Sequence, residues 1–202
     1  GFHTWMLGLA SQWMGVSGLH ANSVAPVLVS REQGRRKSSF CRALMPDVLA
    51  RYYTDNLKLT SQGQAERMLA EMGMLNMDEF DKYAESKMPL LKNLMQMSVL
   101  NIRKAYQQNF GQLPRIASFI GTSNRFDLLT DPTGSRRFLC IEVKHDIDCT
   151  GIEHDRIFAQ LKAELIAGRR SWFTKSEEEE LQRHNEAFYR VSLAEEAVRS
   201  LF

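Results

Sequence analysis

An α/β fold, with a mostly parallel sheet between helices, is what this 202-residue sequence predicts. Two observations carry that prediction. Short apolar runs alternate with helical segments, the pattern of strands covered on both faces by crossover helices. Three of those runs (24–29, 75–78 and 116–121) end in polar, chemically useful residues: Ser30, Asp78-Glu79 and Thr122-Ser123-Asn124. In an open parallel sheet, ligands bind beyond the carboxyl ends of the strands. Three reactive ends therefore predict one site along one edge.

Each element has a local reason. Residues 4–14 place Trp5, Leu9 and Trp13 near helical spacing, and 15–22 read as a loop. Residues 24–29 form an apolar strand, in which Pro26 argues against bonding along its whole length. A loop over 30–39 leads into a helix through Phe40 and Leu44, and 51–54 (RYYT) suit a strand. Residues 61–71 read as a helix with Ser61 as N-cap. The second buried strand, 75–78, follows. A helix over 86–96 has its apolar residues on one side, and 99–106 read as a basic hairpin. The third and fourth strands are 116–121 and 138–143. From Asp155 onward the chain reads as mostly helical, with the acidic run 177–180 as a first turn, where carboxylates favour the helix dipole. The division expected is an N-terminal helical segment over 1–22, a core over 23–150 and a C-terminal helical segment over 151–202.

Composition narrows the class. Hydrophobic residues make up 44% and charged residues 25%, ordinary for a globular domain. A net charge of +2 makes no case for nucleic-acid binding by itself, so any such case rests on a local patch. Cys41, Cys140 and Cys149 fit neither a disulfide framework nor a zinc spacing, which points to a reducing, cytoplasmic setting. No apolar run reaches the length of a membrane span. The chain starts at Gly1 without an initiator Met, which predicts a piece of a longer protein.

The most specific chemistry lies in MLNMDEFD, residues 74–81. A buried strand ending in two carboxylates can give Asp78 to a Mg²⁺ ion and Glu79 to an attacking water. Phosphoryl transfer also needs a lysine and a hydroxyl on a glycine-bearing loop, of the form GxxxxGK[ST]. Residues 31–39, REQGRRKSS, place Lys37 and Ser38 correctly, with Gly34 for a tight turn and Ser39 following. Arg31 and Arg36 stand where the pattern has glycine. If the loop keeps its usual path, Arg36 takes a left-handed backbone conformation that glycine adopts freely. The same stretch also suits a basic surface loop ahead of a helix, and Asp78-Glu79 also suits an acidic strand end. Asn124 suits a γ-phosphate sensor or an ordinary turn. Arg136 and Arg137, after the turn DPTGS, suit either solvated arginines or a finger reaching a neighbouring subunit. Arg103, Lys104 and Tyr106 mix charge with an aromatic ring, as single-strand binding needs, although many surface hairpins look alike. His145 and His154, beside Asp146, Asp148 and Asp155, lack metal-ligand spacing and read as solvated loop residues. Cys41 and Cys140 read as small core residues.

Taken together, GQLPRIASFIGTSNRFDLLTDPTGSRRFLCIEV, with VLVSREQGRRKSSFCRALMP, YYTDNL and LNMDEFD upstream, resembles the virulence-associated E family. That family groups P-loop, AAA+-like ATPase domains related to superfamily 3 helicases of phage and plasmid primase-helicases. The resemblance runs from about Trp5 to Phe202. It implies a P-loop NTPase core with helical extensions, ATP and Mg²⁺ as cofactors, and single-stranded or forked DNA as partner. It further implies a homo-oligomeric, hexameric ring, a primase domain elsewhere in the full-length chain, and a bacterial or phage cytoplasm. By resemblance Lys37 and Ser38 take the Walker A roles, Asp78 and Glu79 the Walker B roles, and Asn124 the sensor role. Arg136 or Arg137 supplies the finger, and the 103–106 hairpin contacts DNA. Where the family has a small residue and then glycine, this chain has Arg35-Arg36. A catalytically weak nucleotide-sensing or ring-assembly module is therefore the alternative. A small-molecule kinase is disfavoured, since no acceptor site or lid is evident and Glu79 beside Asp78 suits water as nucleophile.

Overall fold

The computed structural model describes residues 1–18, 20–59, 61–103 and 110–190. Five strands form a parallel sheet: β1 (Ala25–Val29), β2 (Tyr53–Thr54), β3 (Met74–Met77), β6 (Ser118–Ser123) and β7 (Phe138–Glu142). Between β3 and β6 in the chain, β4 (Val99–Arg103) and β5 (Phe110–Pro114) make a separate antiparallel pair. The main sheet is ordered β2-β3-β6-β1-β7, and every neighbouring pair is parallel.

That order decides where the site falls. β6 lies between β1 and β3, so the residues ending β6 sit between the loop after β1 and the carboxylates after β3. β1 pairs with β6 only from Val27 on, which leaves Pro26 paired with β7 alone. The missing proline N–H is thereby tolerated in a central strand.

The two faces of the sheet carry different helices. On one face α1 (Phe2–Trp13), α2 (Lys37–Ala43) and α5 (His154–Ile166) pack Trp5, Leu9, Cys41 and Leu161 against Leu28, Met74 and Ile120. On the other, α3 (Gln62–Glu71) and α4 (Met88–Gln96) pack Leu69, Leu91 and Leu94 against Val27, Leu75 and Phe119. Alternate residues of one strand thus serve opposite cores, as the period-two geometry of a strand requires. Trp5 Nε1 donates to the Phe119 carbonyl at 3.1 Å, docking α1 on β6. At the far end, α6 (Lys175–His184) begins with a capping box in which Thr174 and Glu177 satisfy each other's backbone N–H groups. The acidic run 177–180 therefore starts in the first turn of α6. Among the described residues no helix is long and apolar enough to cross a membrane.

Several details differ from the sequence expectation, among them the bounds of β2 and β3 and the start of α4. The third strand begins two residues later and runs on through Thr122 and Ser123, because the polar residues at its end remain buried. The hairpin is longer than 99–106, since β4 pairs with residues 110–114. Gly111 and Gln112 break the apolar alternation that would have marked the second strand. Ser61 stands at the N-cap of α3 but its side chain makes no capping hydrogen bond.

Candidate functional site

β1 ends at Val29, and the chain turns through 30–36 into α2. Lys37, the first residue of α2, is 7% exposed. Its Nζ donates to Ser30 Oγ at 2.6 Å and to Asn124 Oδ1 at 2.9 Å. The lysine therefore ties the loop after β1 to the end of β6. Burial pushes its pKa down, opposed by the charges of Asp78 and Asp81. Gly34 turns the loop with φ +82.

Arg36 sits at the N-cap of α2 with φ 59 and ψ 25, the left-handed conformation that the glycine position of the motif demands. Arg31 is not left-handed, so the other missing glycine costs the backbone nothing, and its guanidinium lies over the Phe126 ring. The strained path of Arg36 is held from outside. Arg35 pairs with Glu32 and, at 2.9 Å, with Asp146 in the loop after β7. Ile147 N donates to the Arg35 carbonyl at 3.3 Å. Asp146 is thus a strap contact as well as a solvated residue. Surroundings that over-determine a conformation are what allow it to persist.

β3 delivers the carboxylates. Asp78 Oδ1 accepts from Ser38 Oγ at 2.7 Å and from Thr122 Oγ1 at 2.6 Å. Glu79 is also left-handed, with φ 51. Its backbone N–H donates to Thr122 Oγ1 at 3.2 Å, and its carboxylate is paired with Lys82 at 2.6 Å on the exposed side. Among the described residues, Arg36 and Glu79 are the non-glycine positions with positive φ. Both line one open cavity of ≈ 420 Å³, together with Gly34, Ser38, Ser39 and Asn124. Backbone strain concentrated at one cleft is the usual mark of a working site.

Three residues to which the sequence assigned no role of their own support the site, Ser30 and Thr122 at strand ends and Asp81 in the 74–81 run. Ser30 accepts from Lys37, Thr122 ties Asp78 to Glu79, and Asp81 accepts from Ser123 Oγ at 2.8 Å. The Thr122-Ser123 pair beside Asn124 was the available signal. The oxygen donors suit a hard divalent cation that keeps most of its ligands as water and phosphate. Ser38 and Asp78 would hold it, their oxygens already being within hydrogen-bonding distance. Among the described residues no cluster of three or more His, Cys, Asp or Glu is arranged to hold a metal without a ligand.

The remaining predicted residues lie elsewhere. Arg136 and Arg137 end the 3-10 turn Pro132–Arg137, directly before β7. Phe138 pairs with Ala25, whereas the loop follows Val29. The arginines thus occupy the opposite edge of the sheet, about 16 Å from the cavity at the rise of a strand. Neither joins the cavity of its own chain. Arg136 Nε is 3.6 Å from Glu178. Burial and the neighbouring charge of Arg136 push the Arg137 pKa down, and its Nε is buried without a hydrogen-bond partner among the described residues. Asn185 Nδ2 donates to the carbonyls of Ser135 and Phe138 at 2.8 and 2.7 Å, fixing the turn from both ends. Arg103 ends β4; Lys104 and Tyr106 lie outside the described residues. His154 is half-buried rather than solvated, its Nε2 lying 2.7 Å from the Ala43 carbonyl at the end of α2. Cys41 and Cys140 are core residues whose thiols burial pushes up, Cys140 to about 12.

No curated protein matches this sequence. Among solved structures, the apo C-terminal region of NrS-1 (305-718) aligns over 99% of this chain with a TM-score of 0.52 and 16% identity. Its A form aligns over 99% with a TM-score of 0.51 and 17% identity. At those identities the likeness is one of fold. The chain spans about half the length of these structures, covering 46% and 48% of them. A family model, the virulence-associated protein E-like domain, matches residues 2–190, and this chain belongs to that family.

Proposed function

We propose that this chain is a P-loop, AAA+-like ATPase core, the motor of a mobile-element DNA replication protein. One observation carries the reading. The ends of three adjacent parallel strands converge so that Lys37 bonds Asn124 and Ser38 bonds Asp78. A lysine, a hydroxyl, a metal-binding carboxylate and a sensor amide on one edge are the parts phosphoryl transfer requires.

In this reading Lys37 exchanges Ser30 and Asn124 for the β- and γ-phosphates. Ser38 and Asp78 would hold Mg²⁺, which would supply charge neutralisation for the phosphates. Glu79 leaves Lys82 to take a proton from water, and Asn124 orients that water. Gly34 and Ser39 line the path of the phosphates. Arg136 or Arg137 lies at the wrong edge to serve its own cavity, which supports a role toward a neighbouring subunit in a ring, expected to be a hexamer. The β4–β5 hairpin grips single-stranded or forked DNA. A primase domain completes the full-length protein, and the setting is a bacterial or phage cytoplasm.

Phosphate release from Mg·ATP, with and without single-stranded DNA, tests this function. Turnover stimulated by DNA is expected; a folded chain with no turnover at millimolar ATP contradicts it, leaving a nucleotide-sensing or ring-assembly module.

The loop makes a prediction of its own. A left-handed non-glycine residue costs roughly 1–2 kcal/mol, and the Arg36 side chain lines the cavity where phosphates must approach the backbone. Binding by the chain as it stands is weak, and Arg36→Gly raises Mg·ATP affinity, read by titration calorimetry. Equal, tight binding by both proteins contradicts this.

The hairpin makes another. Arg103→Ala and Lys104→Ala each flatten the salt dependence of single-strand binding by about 0.7 in log–log slope, one released counterion per lost phosphate contact. Tyr106→Ala weakens binding with little change in slope, because stacking releases no ions. Unchanged binding in all three variants makes this an ordinary surface hairpin.

A further inference from the structure

Arg115 has no part in the chemistry above, yet it is the most deeply buried charged side chain among the described residues. It is 2% exposed. No carboxylate faces it among the described residues, and every hydrogen bond of its guanidinium goes to a backbone carbonyl. Nε donates to Ala117 at 2.7 Å. Nη1 donates to Met95 at 2.6 Å, Leu94 at 3.2 Å and Met97 at 3.3 Å, and Nη2 to Asn22 at 3.0 Å. The cation also lies 5.1 Å from the Phe119 ring centroid. Its own backbone N–H donates to Ser98 at 3.0 Å and closes the root of the β4–β5 hairpin.

The carbonyls it gathers come from four segments. Leu94 and Met95 are the last turn of α4, whose negative dipole end favours a cation. Met97 enters β4, Ala117 enters β6 and Asn22 leads into β1. β6 ends in Thr122, Ser123 and Asn124, and β1 ends in the loop that carries Lys37. One side chain thus joins the hairpin root to the two strands that build the cavity. Burying a guanidinium without a counter-ion is expensive, and an apolar side chain would usually fill such a space at lower cost. Burial pushes its pKa down only to about 9, so the charge is retained near neutrality. A planar fork with five fixed donors sets the mutual position of all four segments, which the compact ammonium of a lysine cannot do.

We infer that Arg115 is a positioning residue that fixes the hairpin root to β1 and β6 and thereby couples nucleotide in the cavity to nucleic acid on the hairpin. The inference rests on the proposed function. Through stiff strands, a shift of Lys37 and Asn124 on nucleotide binding reaches the hairpin root as movement of one clamped body.

The test is a linkage measurement on the whole chain. The affinity of a thymidine oligonucleotide is measured with and without saturating Mg·ATP analogue, and the ratio is the coupling factor, typically 5–150-fold where coupling exists. In Arg115→Met the separate affinities for nucleotide and oligonucleotide are expected to stay within about threefold, while the ratio collapses toward one. Arg115→Lys keeps the charge and most of the volume, and is expected to lose part of the ratio. A ratio preserved in either folded variant overturns the inference. So does parallel loss of both separate affinities, or failure of both variants to fold, since each marks a purely structural residue. A wild-type chain that binds both ligands with a ratio of one overturns the inference alone. A wild-type chain that binds neither overturns the proposed function beneath it.

Discussion

Alanine at Arg136 or Arg137, at whichever supplies the finger, is expected to lower ATP turnover on the order of a thousandfold while lowering nucleotide affinity far less. A finger neutralises charge that develops only in the transition state, and losses of about 10³–10⁵ follow its removal. On the proposed reading the effect is intermolecular. β1 and β7 are parallel and in register from Ala25–Phe138 to Val29–Glu142, so the arginines and the cavity occupy opposite edges of one sheet. A ring that places the arginine edge of one subunit on the cavity edge of the next brings them together. Mixing an Arg137→Ala protein with a Lys37→Ala protein should restore some activity, because some interfaces then hold an intact lysine and an intact arginine. No rescue in mixed assemblies of folded parents counts against action in trans.

Glu79→Gln is expected to leave Mg·ATP bound and to stop its hydrolysis. The amide keeps the size and reach of the carboxylate but cannot take a proton, and a positioned base contributes about 10²–10⁴-fold. Asp78, whose carboxylate would hold the metal and accepts from Ser38 and Thr122, is untouched. In the present structure the Glu79 carboxylate is turned to Lys82. That pair is exposed and screened, so leaving it costs little. Parent-like turnover by the glutamine variant would remove Glu79 from the role.

The parts of the fold that local pattern dictates were legible in the sequence. The run MLNM is buried throughout as β3, and the three polar strand ends do meet at one edge, because a parallel sheet leaves them no other place. The left-handed path of Arg36 followed from motif spacing alone, since the turn into a helix at Lys37 demands it whatever the side chain. What escaped detection depends on distance in the chain. Asp146 looks like a solvated loop acid until β7 sets it beside Arg35, 111 residues away. Arg115 reads as an ordinary basic residue in LPR, and only the convergence of four segments makes it a buried clamp. β5 was hidden by Gly111 and Gln112. The edge on which Arg136 and Arg137 lie could be known only once β7 was seen to run parallel to β1.

The central claim is that the cleft between β1, β3 and β6 holds Mg·ATP through Lys37. Titration calorimetry of Mg·ATP into the chain and into Lys37→Ala tests it most directly. The account predicts saturable binding, weak in the parent, that the alanine variant loses although it remains folded. Saturable binding of equal strength in both proteins, or none in the parent at millimolar nucleotide, contradicts it.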